Sequence, residues 1–249
     1  VYGIDSDVLE YFQHYCQRNA GPALYNYPDA TGNIEKTQSM AACGPTSYMM
    51  ASYCIANYIN QERICNVSGS KLARIIKKTG VSTYLTDLEI YANNYDGSFL
   101  EAIYNKREKK SRSSTKNFIQ NALDENKFVI VAINANTQSY DVVNSSNLYY
   151  NSSKNPDLND SGSKSSNYIS IKEEGGSIHG HIIIITKVTI DNDIGTGIVE
   201  YIDPLSKTKS SSSYKSNRRY VSYTRLLNSM SVNGGSAYYD ALSVGEKQY

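Results

Sequence analysis

The chain has 249 residues, 40% of them hydrophobic, enough for one large domain or two small lobes around a cleft. Lys and Arg number 25 against 24 Asp and Glu, a formal net charge of +1. This excludes the strong basic excess on which nucleic-acid binding leans, and no apolar run approaches the roughly 20 residues that a membrane span requires.

The first predicted element is a helix over residues 6–18. Val8, Leu9, Phe12 and Tyr15 recur at helical spacing, Ser6 suits the cap, and Gly21 and Pro22 end the run. A connection rich in Tyr, Pro, Gly and Asn follows, up to about Gln38. The clearest helix covers residues 43–58. Pro45 falls in its first turn, where a missing N–H costs nothing. Cys43, Ser47, Met50, Cys54 and Tyr58 lie on roughly one face, which makes a long buried helix with Cys43 at its N-terminus. Further helices are predicted over residues 70–78, 86–93, 98–105 and 115–126.

The pattern then changes. Residues 128–135 and 181–190 read as strands, with weaker strands at 197–202 and 219–223 and a closing one at 238–244. Helices first and strands later argue an α+β domain rather than a βαβ parallel sheet. The expected organisation is a single domain over 1–249, with a helical part over about 1–126 and a sheet part over about 127–249. Two segments rich in Ser, Asn and Lys, 136–177 and 206–217, lack periodicity. The first is too long for an ordinary connection and is read as a solvated insertion, with a flap or a binding loop as the other readings.

Three segments carry candidate chemistry. In Gln38-Ser39-Met40-Ala41-Ala42-Cys43-Gly44-Pro45-Thr46-Ser47 a cysteine opens a buried helix. The positive end of the helix dipole favours a thiolate there. The first helical N–H groups have no intrahelical partner, so that of Cys43 can face a developing oxyanion, and Gln38 could supply a second donor. In Ile178-His179-Gly180-His181-Ile182-Ile183-Ile184-Ile185, His181 begins a strand that is apolar on both faces. That puts an imidazole at the rim of a central strand, in reach of a helix start and suited to general-base work. His179 competes for this role. The His-x-His pair could also ligate zinc, but no nearby carboxylate or cysteine completes a set in sequence. In Val199-Glu200-Tyr201-Ile202-Asp203-Pro204 a short strand ends in Asp-Pro. Strands that follow one another usually pair, so Asp203 can lie beside the start of the His181 strand and orient its ring.

Cys-Gly-Pro-Thr-Ser opening a helix, Gly-His before an aliphatic strand and a strand ending Asp-Pro, in that order, resemble the papain superfamily. More narrowly they resemble the bacterial double-glycine (bacteriocin-leader) peptidases and their stand-alone secreted relatives. The helix and strand around residues 118–135 fit the same pattern, and the resemblance covers roughly residues 37–204. It implies a papain-like fold, in which a central helix with the cysteine at its N-terminus packs on an antiparallel β-sheet lobe. It also implies Cys43 as nucleophile, His181 as base, Asp203 as the residue that orients the histidine, and Gln38 as oxyanion donor. Gln38 stands five residues before Cys43, one fewer than is common in the family, and Gln13 and Gln17 stay open as alternatives.

The expected activity is therefore thiol-dependent cleavage of a peptide or isopeptide bond, with no cofactor, in a protein that is a monomer. The substrate would be a peptide or protein. An acyltransferase or peptidoglycan amidase on the same scaffold and a silent binding module are the rival readings. A chain that opens on Val1 instead of Met is expected to have lost a signal peptide, which points to a secreted, periplasmic or cell-surface location. A catalytic Cys43 leaves at most one bridge among Cys16, Cys54 and Cys65, which otherwise read as buried thiols.

Overall fold

The structure is a computed structural model that describes residues 1–15, 43–60, 84–105, 110–138, 148–158, 167–172, 180–190, 197–205, 211–231 and 239–249. The fold is α+β. Its strands are β1 (Tyr2–Gly3), β2 (Leu100–Tyr104), β3 (Phe128–Gln138), β4 (Ile169–Lys172), β5 (Gly180–Thr189), β6 (Ile198–Ile202), β7 (Arg219–Ser222) and β8 (Ala241–Glu246). They form one sheet in the order β2-β8-β3-β5-β6-β7, with β1 added to β5 and β4 to β3. Every ladder is antiparallel except the parallel pair β3–β4. The helices are α1 (Ser6–Leu9), α2 (Cys43–Asn60), α3 (Leu85–Tyr95), α4 (Arg112–Asp124), α5 (Tyr214–Asn217) and α6 (Tyr223–Ser231).

Two elements form the centre. Ile182, Ile183, Ile184 and Ile185 of β5 are all buried, so both faces of that strand are covered, as the unbroken aliphatic run demands. Helix α2 packs on β5, β8 and β3 and is buried almost all round from Gly44 to Ile55. Its environment is thus wider than the single apolar stripe expected from sequence. No helix among the described residues is long and apolar enough to cross a membrane.

Several predicted elements change. Of the helix expected over 6–18, the described part is helical only over Ser6–Leu9. The chain then turns because a tertiary ladder takes its polar groups. Gln13 bridges Ser213, and the His14 N–H donates to the Ser212 carbonyl at 2.8 Å. Residues 98–105, expected as a helix, hold strand β2, which pairs with β8 from Leu100 to Tyr104. Leu100, Ala102 and Tyr104 face inward in alternation. The Asn93 amide clamps the outer edge, donating to the Ala102 carbonyl at 3.0 Å and accepting its N–H at 3.1 Å. The predicted helix over 70–78 lies outside the described residues.

The insertion over 136–177 is only partly the solvated segment expected. Strand β3 runs on to Gln138, and β4 pairs with that extension. A 3-10 turn, Pro156–Leu158, docks on β7. Asn155 donates to the Tyr220 carbonyl at 3.0 Å, and Asp157 pairs with Arg225 of α6 at 3.1 Å while accepting from the Ser170 N–H and hydroxyl. Asn155, Asp157, Leu158, Ile169 and Ile171 are buried. In the second polar segment, Ser213 caps α5 through the Ser216 N–H, and Tyr214 is buried against Phe12.

Candidate active site

Cys43 is the first residue of α2 and is half-buried, whereas every residue from Gly44 to Met50 is buried. The thiol is therefore held at the accessible N-terminal end of a core helix. His181 is the second residue of β5, where its Cα lies opposite Ile133 of β3. Asp203 follows directly on β6, whose register with β5 puts Ile202 opposite Ile184. Gly197 opens β6 with φ +133°, and a Cβ there would meet the Thr189 carbonyl oxygen at 2.5 Å. Only glycine lets β6 enter the ladder so close to β5.

These positions bring three side chains together. His181 Nε2 lies 2.7 Å from Asp203 Oδ1, and both residues are buried. The Cys43 side chain acts on the same ring and raises its proton affinity. With Nε2 committed to the carboxylate, Nδ1 is the nitrogen left to face the sulfur. Asp203 Oδ1 also accepts the Leu205 N–H at 2.9 Å, an Asx turn that fixes the carboxylate on the Pro204 bend.

The electrostatics favour a charged pair. Burial alone would push His181 down, but the charge of Asp203, its hydrogen bond and the contact with Cys43 outweigh it and hold the imidazole well above its ordinary value. Burial would likewise raise Asp203. The His181 charge and hydrogen bond, the Arg219 charge and the Leu205 N–H together hold it below the usual carboxylate range. The buried ion pair is thus satisfied by additional hydrogen bonds on the carboxylate side.

Two neighbours escaped the sequence reading. His14, also buried, lies with its Nε2 3.0 Å from the Asp203 carbonyl oxygen. Arg219 of β7 is buried opposite Tyr201, and its Nε and Nη1 have no hydrogen-bond partner. The signal for Arg219 was an arginine at a position that alternates with Val221 in a short buried strand. For His14 there was only the scarcity of histidine, 3 in the chain.

Of the other predicted site residues, Gln38, with the alternatives Gln17 and His179, lies outside the described residues. Gln13 turns elsewhere: its side-chain oxygen accepts the Tyr15 hydroxyl at 3.0 Å. Cys54 is a free buried thiol that donates to the Val8 carbonyl, so it takes part in no bridge, and burial pushes its pKa up. Cys16 and Cys65 lie outside the described residues. Among the described residues no group of three or more His, Cys, Asp and Glu stands where a metal ion could be held. A cleft of about 1110 Å³ between α1, α5 and the outer ends of β5 and β6 is lined by none of Cys43, His181 and Asp203. Side-chain geometry, not cavity size, therefore singles out the candidate site. No protein-family model matches the chain, and no curated protein matches it.

Proposed function

We propose that the chain is a papain-like cysteine hydrolase that cleaves a peptide or isopeptide bond. The observation that carries this reading is the buried imidazole of His181, which lies 2.7 Å from the Asp203 carboxylate and whose proton affinity is raised by both Asp203 and the Cys43 side chain at the start of α2. The Cys43 thiolate attacks the carbonyl carbon, the leaving amine takes a proton from His181, and an acyl-enzyme thioester remains. Water then gives its proton to His181 as it attacks the thioester, and the thiolate is released. Asp203 keeps the ring in one orientation and supports its positive charge in both halves. The N–H groups of the first turn of α2 lack intrahelical partners and can receive the developing oxyanion.

Alkylation by iodoacetamide at mildly acidic pH, mapped by peptide mass spectrometry, tests the reading. Cys43 is expected to react far faster than Cys54, whose thiol is buried, and Cys43→Ala is expected to abolish both this fast labelling and all hydrolysis of a peptide library. His181→Ala should remove hydrolysis and His179→Ala should leave most of it. Equal hydrolysis by wild type and Cys43→Ala would sink the proposal.

A further inference from the structure

Strand β6 delivers Asp203 to the site, but a strand end followed by proline is free to swing unless something holds its carbonyl. His14 is placed to do that. Its Nε2 lies 3.0 Å from the Asp203 carbonyl oxygen, and since a carbonyl only accepts, the nitrogen must carry the proton. His14 is itself fixed from behind, through its N–H on the Ser212 carbonyl and the Gln13–Ser213 bridge. It therefore grips the carboxylate residue by the main chain while the carboxylate oxygens serve His181 and Leu205.

We infer that His14 is a positioning residue, a neutral imidazole that clamps the Asp203 main chain so that the carboxylate stays aimed at His181. This rests on the proposed role of Cys43, His181 and Asp203. Among the described residues, Asp203 and Arg219 are charged groups that act on His14. Burial depresses its proton affinity first, the hydrogen bond and charge of Asp203 oppose this, and Arg219 adds to the depression; the net direction is down. The ring thus takes up a proton less readily than an ordinary histidine, which limits its competition with His181 for the carboxylate. Its role is geometric: without the clamp, the bend at Asp203 and Pro204 relaxes, the bond to His181 lengthens, and the imidazolium that supports the thiolate is lost on the acid side.

The test compares wild type, His14→Leu and His14→Gln in the rate of Cys43 alkylation at about pH 5.5 and about pH 9.5, the second lying above the ordinary thiol range. Leucine fills the space without a donor, whereas the glutamine amide can reach the same carbonyl. His14→Leu is expected to lose about tenfold at the acid pH, the size of one lost buried hydrogen bond, and to keep the alkaline rate within about twofold. His14→Gln should track wild type at both. A folded His14→Leu protein with the wild-type profile, or a His14→Gln protein that loses as much as His14→Leu, overturns the inference. If His14→Leu does not fold, His14→Gln is judged together with nitrogen-15 spectra of the wild-type histidines. An Nε2–H tautomer of His14 together with a wild-type-like glutamine variant supports the clamp, and an Nδ1–H tautomer overturns it. If wild type itself shows no acid-side labelling, the reading of Cys43 and His181 fails first and the role of His14 falls with it, a result that no His14 variant can mimic.

Discussion

The contact between His181 and Asp203 has a cost that fixes its consequences. Both groups are out of water, so each charge depends on the other for its solvation. Asp203→Asn keeps the shape and removes the charge. Burial then acts on His181 unopposed by a carboxylate, and the imidazole falls from its raised state towards neutrality. Hydrolysis is expected to drop by at least about 10²-fold, with the acid-side alkylation of Cys43 lost as well. The measurement is the pH profile of labelling in the two proteins, and an unchanged profile would contradict the assignment. At this scale the sequence was informative where a residue sits at an element boundary. Cys43 opens a helix, His181 stands second in a strand and Asp203 directly after one, and each boundary could be read from local pattern. His14 could not be read, because its meaning comes from a carbonyl 189 positions away in the chain. Arg219 shares that difficulty, since its influence on Asp203 exists only once β7 has paired with β6.

Elements with a strong period were legible: α2, α3, α4, β3 and β5 stand within a few residues of their expected bounds. Short elements were mixed: β6, β7 and β8 also stand near their expected bounds, but others were not legible. Phe99, Leu100, Ala102, Ile103 and Tyr104 satisfy helical and alternating templates about equally, and pairing with β8 decides for the strand. Tyr223, Leu226, Leu227 and Met230 of α6 are buried at helical spacing, yet the run follows a strand so closely that the sequence pattern makes Tyr223 the strand's end and predicts no helix after it. The insertion misled for a different reason. Its composition is polar, but its buried polar groups are paired: Asp157 with Arg225 and Ser170, Asn155 with Tyr220. For Asp157, burial outweighs the arginine and pushes the carboxyl up, so this ion pair specifies a position more than it stabilises one. Asp157→Ala leaves the Arg225 guanidinium buried and uncompensated, at a cost of about 3–5 kcal/mol. Limited proteolysis is expected to accelerate within residues 148–172 well before the rest of the chain is cut; uniform cutting would mean that the pair does not anchor this segment.

For the whole molecule, the buried titrating groups set a preferred acidity. The folded His181 is raised to about 10, so its contribution is complete below its unfolded value of 6.5 and is lost progressively as pH climbs through the folded one. Asp203 is lowered, so its contribution is present above the ordinary carboxylate range and disappears as pH falls through its folded value. His14 is lowered too. Below 6.5 the unfolded chain takes up a proton that the folded chain refuses, and stability declines in that direction. Urea midpoints are therefore expected to peak near about pH 6.5, with an alkaline decline that flattens in Asp203→Asn. A monotonic rise towards pH 9 or so would contradict the raised His181.

The sulfur rides on α2, and the ring proposed to activate it on a strand far downstream, with apolar packing of α2 on β5 joining the two. Until that packing closes, sulfur and ring stay apart. On the proposed reading, a half-made polypeptide is therefore unarmed, and the completion of folding itself serves as the safety catch.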